Sequence, residues 1–204
     1  MRVPTGSDST IDTAVVVPCY NEAERLAGES FRHFCGQTPW VSFVFVNDGS
    51  SDATLDVLHS LAARLEGRVH VLDQQPNKGK AAAVRAGMLW ALSRPVSFAG
   101  YWDADLATPL DELPRFRREL QDDPQLVIAM GSRIRMLGHE ISRSALRHYL
   151  GRVFATAAST TLGLPVYDTQ CGAKLFRAGE HTAALFREPL RGGWVFDVEL
   201  LARL

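Results

Sequence analysis

The sequence predicts a mixed α/β fold: a mostly parallel central sheet with helices on both faces. Three observations lead there. Short apolar runs rich in β-branched and aromatic residues alternate with stretches of helical length through the first half of the chain. Polar residues gather just beyond the ends of those runs, where ligands bind in parallel sheets. A chain of 204 residues with 46% hydrophobic and 22% charged residues can bury one full core.

In chain order, Thr13–Pro18, Val41–Val46, Arg68–Leu72 and Val96–Trp102 read as strands bounded by turn residues. Between them Glu22–Phe34, Ser51–Leu65 and Lys80–Leu92 read as helices, the second introduced by the capping run Ser50-Ser51-Asp52. This alternation implies parallel strands joined by right-handed crossovers. Beyond Pro109 the pattern predicts a helix over Leu110–Gln121, a further strand over Leu126–Met130 and a long helix over Ser142–Leu162. Tyr167–Phe176 and a closing helix, Val195–Leu204, complete the unit. That last helix carries no stop signal, so the family pattern is expected to continue further. Without repeats or Pro/Gly-rich linkers, residues 1–204 read as a single domain.

Composition excludes several classes. A formal net charge of −1 gives no general attraction to nucleic acid, so any phosphate affinity must be local. Cys19, Cys35 and Cys171 form neither a disulfide framework nor a C-x-x-C metal pair, which suits a reducing, cytoplasmic setting. Met1–Thr10 has no apolar signal core, and no stretch approaches the roughly 20 apolar residues of a membrane span. Work at a membrane would therefore be peripheral, from the cytoplasmic surface. No G-x-S-x-G elbow and no G-x-G-x-x-G loop occurs, which removes the commonest hydrolase and dehydrogenase readings.

Four motifs carry chemistry. Asp103-Ala104-Asp105 follows an apolar strand; two carboxylates at i, i+2 of an extended segment leave on one side and can hold a hard cation, though a solvated strand end has the same composition. In Asn47-Asp48-Gly49-Ser50, Asp48 can accept from a base N–H, while Gly49 and Ser50 read better as turn and helix cap. Asn77-Lys78-Gly79-Lys80 puts two cations before a helix start rich in alanine, an anion site without the features of a P-loop. Arg133, Arg135, Arg143, Arg147 and Arg152 share a stretch with one acid, Glu140. Arginine forks grip phosphate, whereas Arg135 and Arg152 read as solvated surface.

Taken together, Val17–Glu22 (VPCYNE), Val46–Thr54 (VNDGSSDAT), Asn77–Lys80, Asp103–Leu106, Gly131-Ser132-Arg133 and Asp168–Gly172 (DTQCG) resemble family-2 glycosyltransferases from about Ala14 to the last residue. Asp168–Phe176 and Trp194–Leu201 resemble dolichyl-phosphate β-glucosyltransferases more than the dolichyl-phosphate mannose synthases. The resemblance implies a GT-A-type fold, with residues 12–106 as the nucleotide-sugar half and 107–204 as the acceptor half. It also implies an inverting transfer of a hexose from a nucleoside diphosphate-sugar, UDP-glucose favoured, to a polyprenyl or dolichyl phosphate, with Mg²⁺ or Mn²⁺. Carried over by position, Pro18, Tyr20, Asn21, Glu22 and Asp48 would hold base and ribose, with Lys78 near the nucleotide. Asp103, Ala104 and Asp105 would contact donor and metal, the two aspartates being the ligands and Asp105 acting with Asp168 at the reacting centre. Arg133 and Arg147 would grip the acceptor phosphate. Ala107 and Ala173 depart from relatives that carry a metal-binding Gln and an aromatic there. The alternatives are a GDP-mannose donor, a soluble or polysaccharide acceptor, or an idle nucleotide-binding module; a homo-oligomer is compatible with all of them.

Overall fold

The computed structural model describes residues 11–131 and 171–204. Strand β1 (Thr13–Cys19) is followed by α1 (Gly28–Gln37), β2 (Val41–Asp48), α2 (Thr54–Arg64), β3 (Val69–Gln74), α3 (Lys80–Leu92) and β4 (Phe98–Trp102). A 3₁₀ turn, Leu110–Glu112, leads into α4 (Leu113–Asp122) and β5 (Ile128–Met130). After Cys171 come β6 (Ala173–Arg177), α5 (Glu180–Arg187), a second 3₁₀ turn (Gly193–Val195) and α6 (Phe196–Arg203). The expected helix over Ser142–Leu162 lies outside the described residues.

The sheet runs β3-β2-β1-β4-β6-β5. Its first four strands are parallel, and β6 lies antiparallel between β4 and β5. Because strand side chains alternate, each buried strand feeds two cores. Val15, Val17, Phe43 and Phe45 face α1, α2 and α4, where Phe31 meets Phe43 and Phe45 edge-on at centroid distances of 5.1 and 5.0 Å. Ala14, Val16, Val44 and Val46 face α3, α5 and α6. Both faces are covered, as the near-continuous apolar strands require.

The structure revises several boundaries. The helix expected from Glu22 begins only at Gly28, because the amides of Glu22 and Ala23 are bonded to Thr54 Oγ1 and Asp52 Oδ2 across the sheet end. The helix expected from Ser51 begins at Thr54: Ser50 and Ser51 bond Asn21 instead of capping. Strand β3 runs Val69–Gln74 rather than Arg68–Leu72, β4 starts at Phe98 rather than Val96, and β5 at Ile128 rather than Leu126. The segment expected as helix from Leu110 opens as a 3₁₀ turn before α4. Helix α5 was not anticipated, and the closing helix starts at Phe196 rather than Val195. Lys80–Leu92 matches at both ends.

Candidate functional site

All four parallel strands end on one side of the sheet, and β6 starts there, since Ala173 pairs with Trp102. The loops after β1, β2 and β3 are tied to one another. Asn21 takes a positive φ of 52° and bridges to the next loop: its N–H donates to Ser50 Oγ at 3.0 Å, and its Oδ1 accepts from Ser51 N at 2.9 Å. Glu22 donates its N–H to Thr54 Oγ1 (2.8 Å), and its carboxylate pairs with Arg25 at 3.1 Å. Pro18 is half-buried as the strand ends, whereas Tyr20 is 49% exposed, leaving a ring face open above the sheet. Burial, with Glu22 nearby, pushes the Cys19 thiol far above its ordinary range, so it is inert packing.

Asp48 is buried at the tip of β2 and organises the third loop. Its Oδ1 accepts from Lys78 N at 2.8 Å and Gln74 Nε2 at 3.0 Å, and its backbone carbonyl accepts from Asn77 Nδ2 at 2.8 Å. Gly49, at φ 64°, lies against the Asn77 backbone so closely that a Cβ would overlap it. Asp48 therefore shapes the loop that holds Lys78; the Lys78 residue itself is exposed.

Asp103-Ala104-Asp105 departs from expectation in geometry: the segment is a turn, not extended strand. Leu106, at φ 51°, donates its N–H to the Asp103 carbonyl at 3.2 Å, and Asp105 Oδ1 accepts from Ala107 N at 3.0 Å. Trp102 Nε1 closes the turn by donating to Thr108 O at 2.7 Å. Ala104 is buried, Asp103 half-buried and Asp105 exposed. The Asp103 N–H donates to Gly172 O at 2.9 Å, and Gly172 is where a Cβ would overlap the Asp103 carboxylate. Sequence reasoning quoted Gly172 only as part of a motif. Its steric role needs a partner 69 residues away and has no local signature.

Two ion pairs escaped the sequence reading, although Lys80 reads there as part of an anion site. Lys80 Nζ sits 2.5 Å from Asp103 Oδ1, a close ion pair, and that buried oxygen has no other polar partner among the described residues. Behind β4 and β6, fully buried Lys174 donates to Asp197 Oδ1 at 2.5 Å and to Cys171 O at 2.6 Å, while Tyr101 donates its hydroxyl to the same Asp197 oxygen at 2.5 Å. Burial lowers the Lys174 pKa against the pull of Asp197; burial and Asp197 raise that of Tyr101.

The donor set suits a hard divalent cation shared with a bound ligand. Two carboxylates are available, one with an oxygen lacking a hydrogen bond, and no group of three or more His, Cys, Asp or Glu converges among the described residues. The rest of a shell would come from diphosphate oxygens or water. Arg133, Arg147 and Asp168 lie outside the described residues; the chain leaves them at Gly131 and re-enters at Cys171. Both of those flank the site: Gly131 donates its N–H to Ala173 O at 3.0 Å and abuts the Cys171 sulfur.

The architecture is that of a GT-A glycosyltransferase. Glucosyl-3-phosphoglycerate synthase from Mycobacterium tuberculosis, solved with UDP, superposes with a TM-score of 0.63 over 93% of this chain and 63% of that one at 16% identity. A mannosyltransferase from Pyrobaculum calidifontis, solved with GDP-Man and Mn²⁺, reaches 0.53 over 82% of this chain and 45% of its own at 18% identity. At such identities the likeness speaks for the fold. The chain belongs to Glycosyl transferase family 2, whose model matches residues 14–181. It is 36% identical to the dolichyl-phosphate beta-glucosyltransferase of Drosophila melanogaster, over 97% of this chain and 64% of that protein. To the polyprenol monophosphomannose synthase of Mycolicibacterium smegmatis it is 32% identical, over 81% of this chain and 61% of that protein. The chain thus spans 60–64% of the length of curated relatives such as these. Among the described residues no helix is long and apolar enough to cross a membrane.

Proposed function

We propose that this chain carries the catalytic region of an inverting transferase that moves glucose from UDP-glucose to a polyprenyl or dolichyl phosphate, working peripherally at a membrane surface. The observation that carries the reading is that the loops after β1, β2 and β3 are tied to one another at the sheet end where Asp103, just past β4, meets Lys80 and Gly172, in a chain resembling dolichyl-phosphate beta-glucosyltransferases over nearly its full length. The likeness to a polyprenol monophosphomannose synthase favours a second reading, transfer of mannose, for which the donor would be GDP-mannose.

In this reading Tyr20 lies along the base, Asn21 and Glu22 frame the ribose side, and Asp48 sets the loop that brings Lys78 to the nucleotide. Asp103 and Asp105 would hold Mg²⁺ or Mn²⁺, which when bound offsets charge on the departing diphosphate. The acceptor phosphate, largely dianionic at neutral pH, forms its O–C bond at the anomeric carbon as the bond to the diphosphate breaks on the opposite face. Little deprotonation is needed, so Asp168 serves to orient acceptor or sugar hydroxyls. Arg133 and Arg147 hold the acceptor phosphate. Their segment joins the described structure at Gly131 and Cys171, both at this end of the sheet.

The test is transfer of labelled sugar from UDP-glucose and from GDP-mannose to polyprenyl phosphate, with UDP affinity measured in parallel. Asp105→Ala should abolish the enhancement of UDP binding by Mn²⁺. Arg133→Ala and Arg147→Ala should each lower transfer by roughly ten- to 150-fold, as loss of a charge-assisted bond worth roughly 1.5–3 kcal/mol predicts, and leave UDP binding intact. Transfer surviving in both arginine variants would put the acceptor elsewhere.

A further inference from the structure

Lys80 is the one close cationic partner of Asp103 among the described residues, and it reaches that carboxylate from the first turn of α3. The two side chains are 31% and 30% exposed, so the contact is partly shielded from water and only partly screened. Helix α3 is anchored to the sheet by a buried small-residue face that includes Ala81, Ala83 and Ala91, packed with Val16 and Val46. Lys80 is therefore held at the sheet end by a rigid element. The Asp103 backbone is held by its N–H on Gly172 O, and its carboxylate lies in the space left at Gly172. The contact is close, with Nζ 2.5 Å from Oδ1, and that buried oxygen has no other polar partner among the described residues. The Asp103 charge is thus offset by Lys80 alone among nearby cations of the described residues.

We infer that Lys80 is a built-in counter-cation that occupies Asp103 in the nucleotide-free protein and couples metal binding to arrival of the donor. A divalent ion approaching alone must compete with an ammonium already beside its carboxylate. A nucleoside diphosphate changes that balance, because its oxygens offer Lys80 a new acceptor and offer the cation further ligands. Asp103 is then released to the ion at the moment the diphosphate is present. Lys80 is thus a positioning residue, acting on when the metal site forms. The inference rests on the metal reading of Asp103 and Asp105 given above.

The experiment is calorimetric titration of Mn²⁺ into the protein, without nucleotide and at saturating UDP. Wild type is expected to bind Mn²⁺ weakly alone and more tightly with UDP. Lys80→Met should tighten Mn²⁺ binding without nucleotide by about five- to tenfold, from removal of one competing charge at a partly screened site, and so narrow the gap between the two conditions. Lys80→Arg, which keeps the charge, should behave like wild type. Circular dichroism checks the fold, and Lys80→Gln stands in should the methionine variant not fold. If neutral variants bind Mn²⁺ alone no better than wild type while UDP still tightens it in all of them, the coupling role is overturned and the metal site stands. If UDP fails to promote Mn²⁺ binding even in wild type, the metal reading falls, and this inference with it.

Discussion

Around Asp48 the loops are held by backbone N–H groups and small polar side chains, at distances near 2.8–3.0 Å, between segments that follow one another in the chain. Around Asp103 the backbone is held differently, by a missing side chain at Gly172 and by the buried Lys174–Asp197 pair behind it. The first side spreads its stability over several bonds, worth about 1 kcal/mol between neutral groups and about 1.5–3 kcal/mol where the Asp48 carboxylate accepts. The second concentrates it in a few groups with much to lose. In the second a single change exposes an unpaired charge or fills a necessary space; in the first it removes one strut among several.

The largest expected effect follows from the buried pair. Asp197→Ala would leave Lys174, with 0% side-chain exposure, without its counter-ion, and would take the acceptor from the Tyr101 hydroxyl as well. We expect a loss of about 3–5 kcal/mol in urea unfolding, the usual cost of orphaning one partner of a buried pair. Lys174→Met combined with Asp197→Leu should recover most of that, since apolar replacements of both partners are often tolerated. An Asp197→Ala midpoint equal to wild type would mean that this side is held by packing alone.

A smaller effect compares one substitution at two glycines. Gly49→Ala meets both a left-handed φ of 64° and the Asn77 backbone, which cannot turn aside. It should cost about 1–3 kcal/mol and loosen the Asp48 loop. Gly172→Ala meets the Asp103 carboxylate first, a side chain rather than backbone, which can give way by leaving its ion pair with Lys80. It should cost about 1 kcal/mol or less, yet remove the enhancement of UDP binding by Mn²⁺, because Asp103 is displaced. Thermal unfolding and calorimetry on both variants separate the cases. If Gly172→Ala keeps metal-enhanced binding, the position of Asp103 is less constrained than the overlap implies.

What was legible in the sequence follows the same division. Strands β1 to β4 and helix α3 could be read because period and turn chemistry are local, and Asp48-Gly49 and Asn77–Lys80 announced themselves as loop residues. The sequence reading went astray where a distant partner captured a local signal. Ser50 and Ser51 have the composition of a helix cap but are used by Asn21, and Glu22 has helical neighbours but spends its N–H on Thr54. Asp103-Ala104-Asp105 was found as a motif, while its turn geometry depends on Thr108 and Gly172. Lys80 was legible as part of an anion site but not as the partner of Asp103, while Lys174 and Asp197 look like ordinary surface charges in sequence. Only the sheet order, which sets β6 beside β4, brings Lys174 and Asp197 behind the site.

The smallest effect sharpens the comparison at the far edge of the first region. His70 lies on β3, the strand that feeds the Asp48-bound loop, with its ring centroid 4.6 Å from that of Trp90; Arg94 stacks on Trp90 at 3.1 Å. Burial and, secondarily, Arg94 lower the His70 pKa in the folded protein. Unfolded, the ring should titrate near about 6.5. Between the lowered folded value and that figure the unfolded chain binds more protons, so stability rises with pH across this window. The contribution is complete above the unfolded pKa and is lost as pH falls toward the folded one. Stability measured from pH 7 down to pH 5 should therefore decline with a slope that His70→Gln flattens, while the bonds between Asn21 and Ser50 and Ser51, all uncharged groups, contribute none of it. An identical slope in wild type and variant would assign the pH dependence to other groups and leave the Asp48 side without a titrating anchor at its edge.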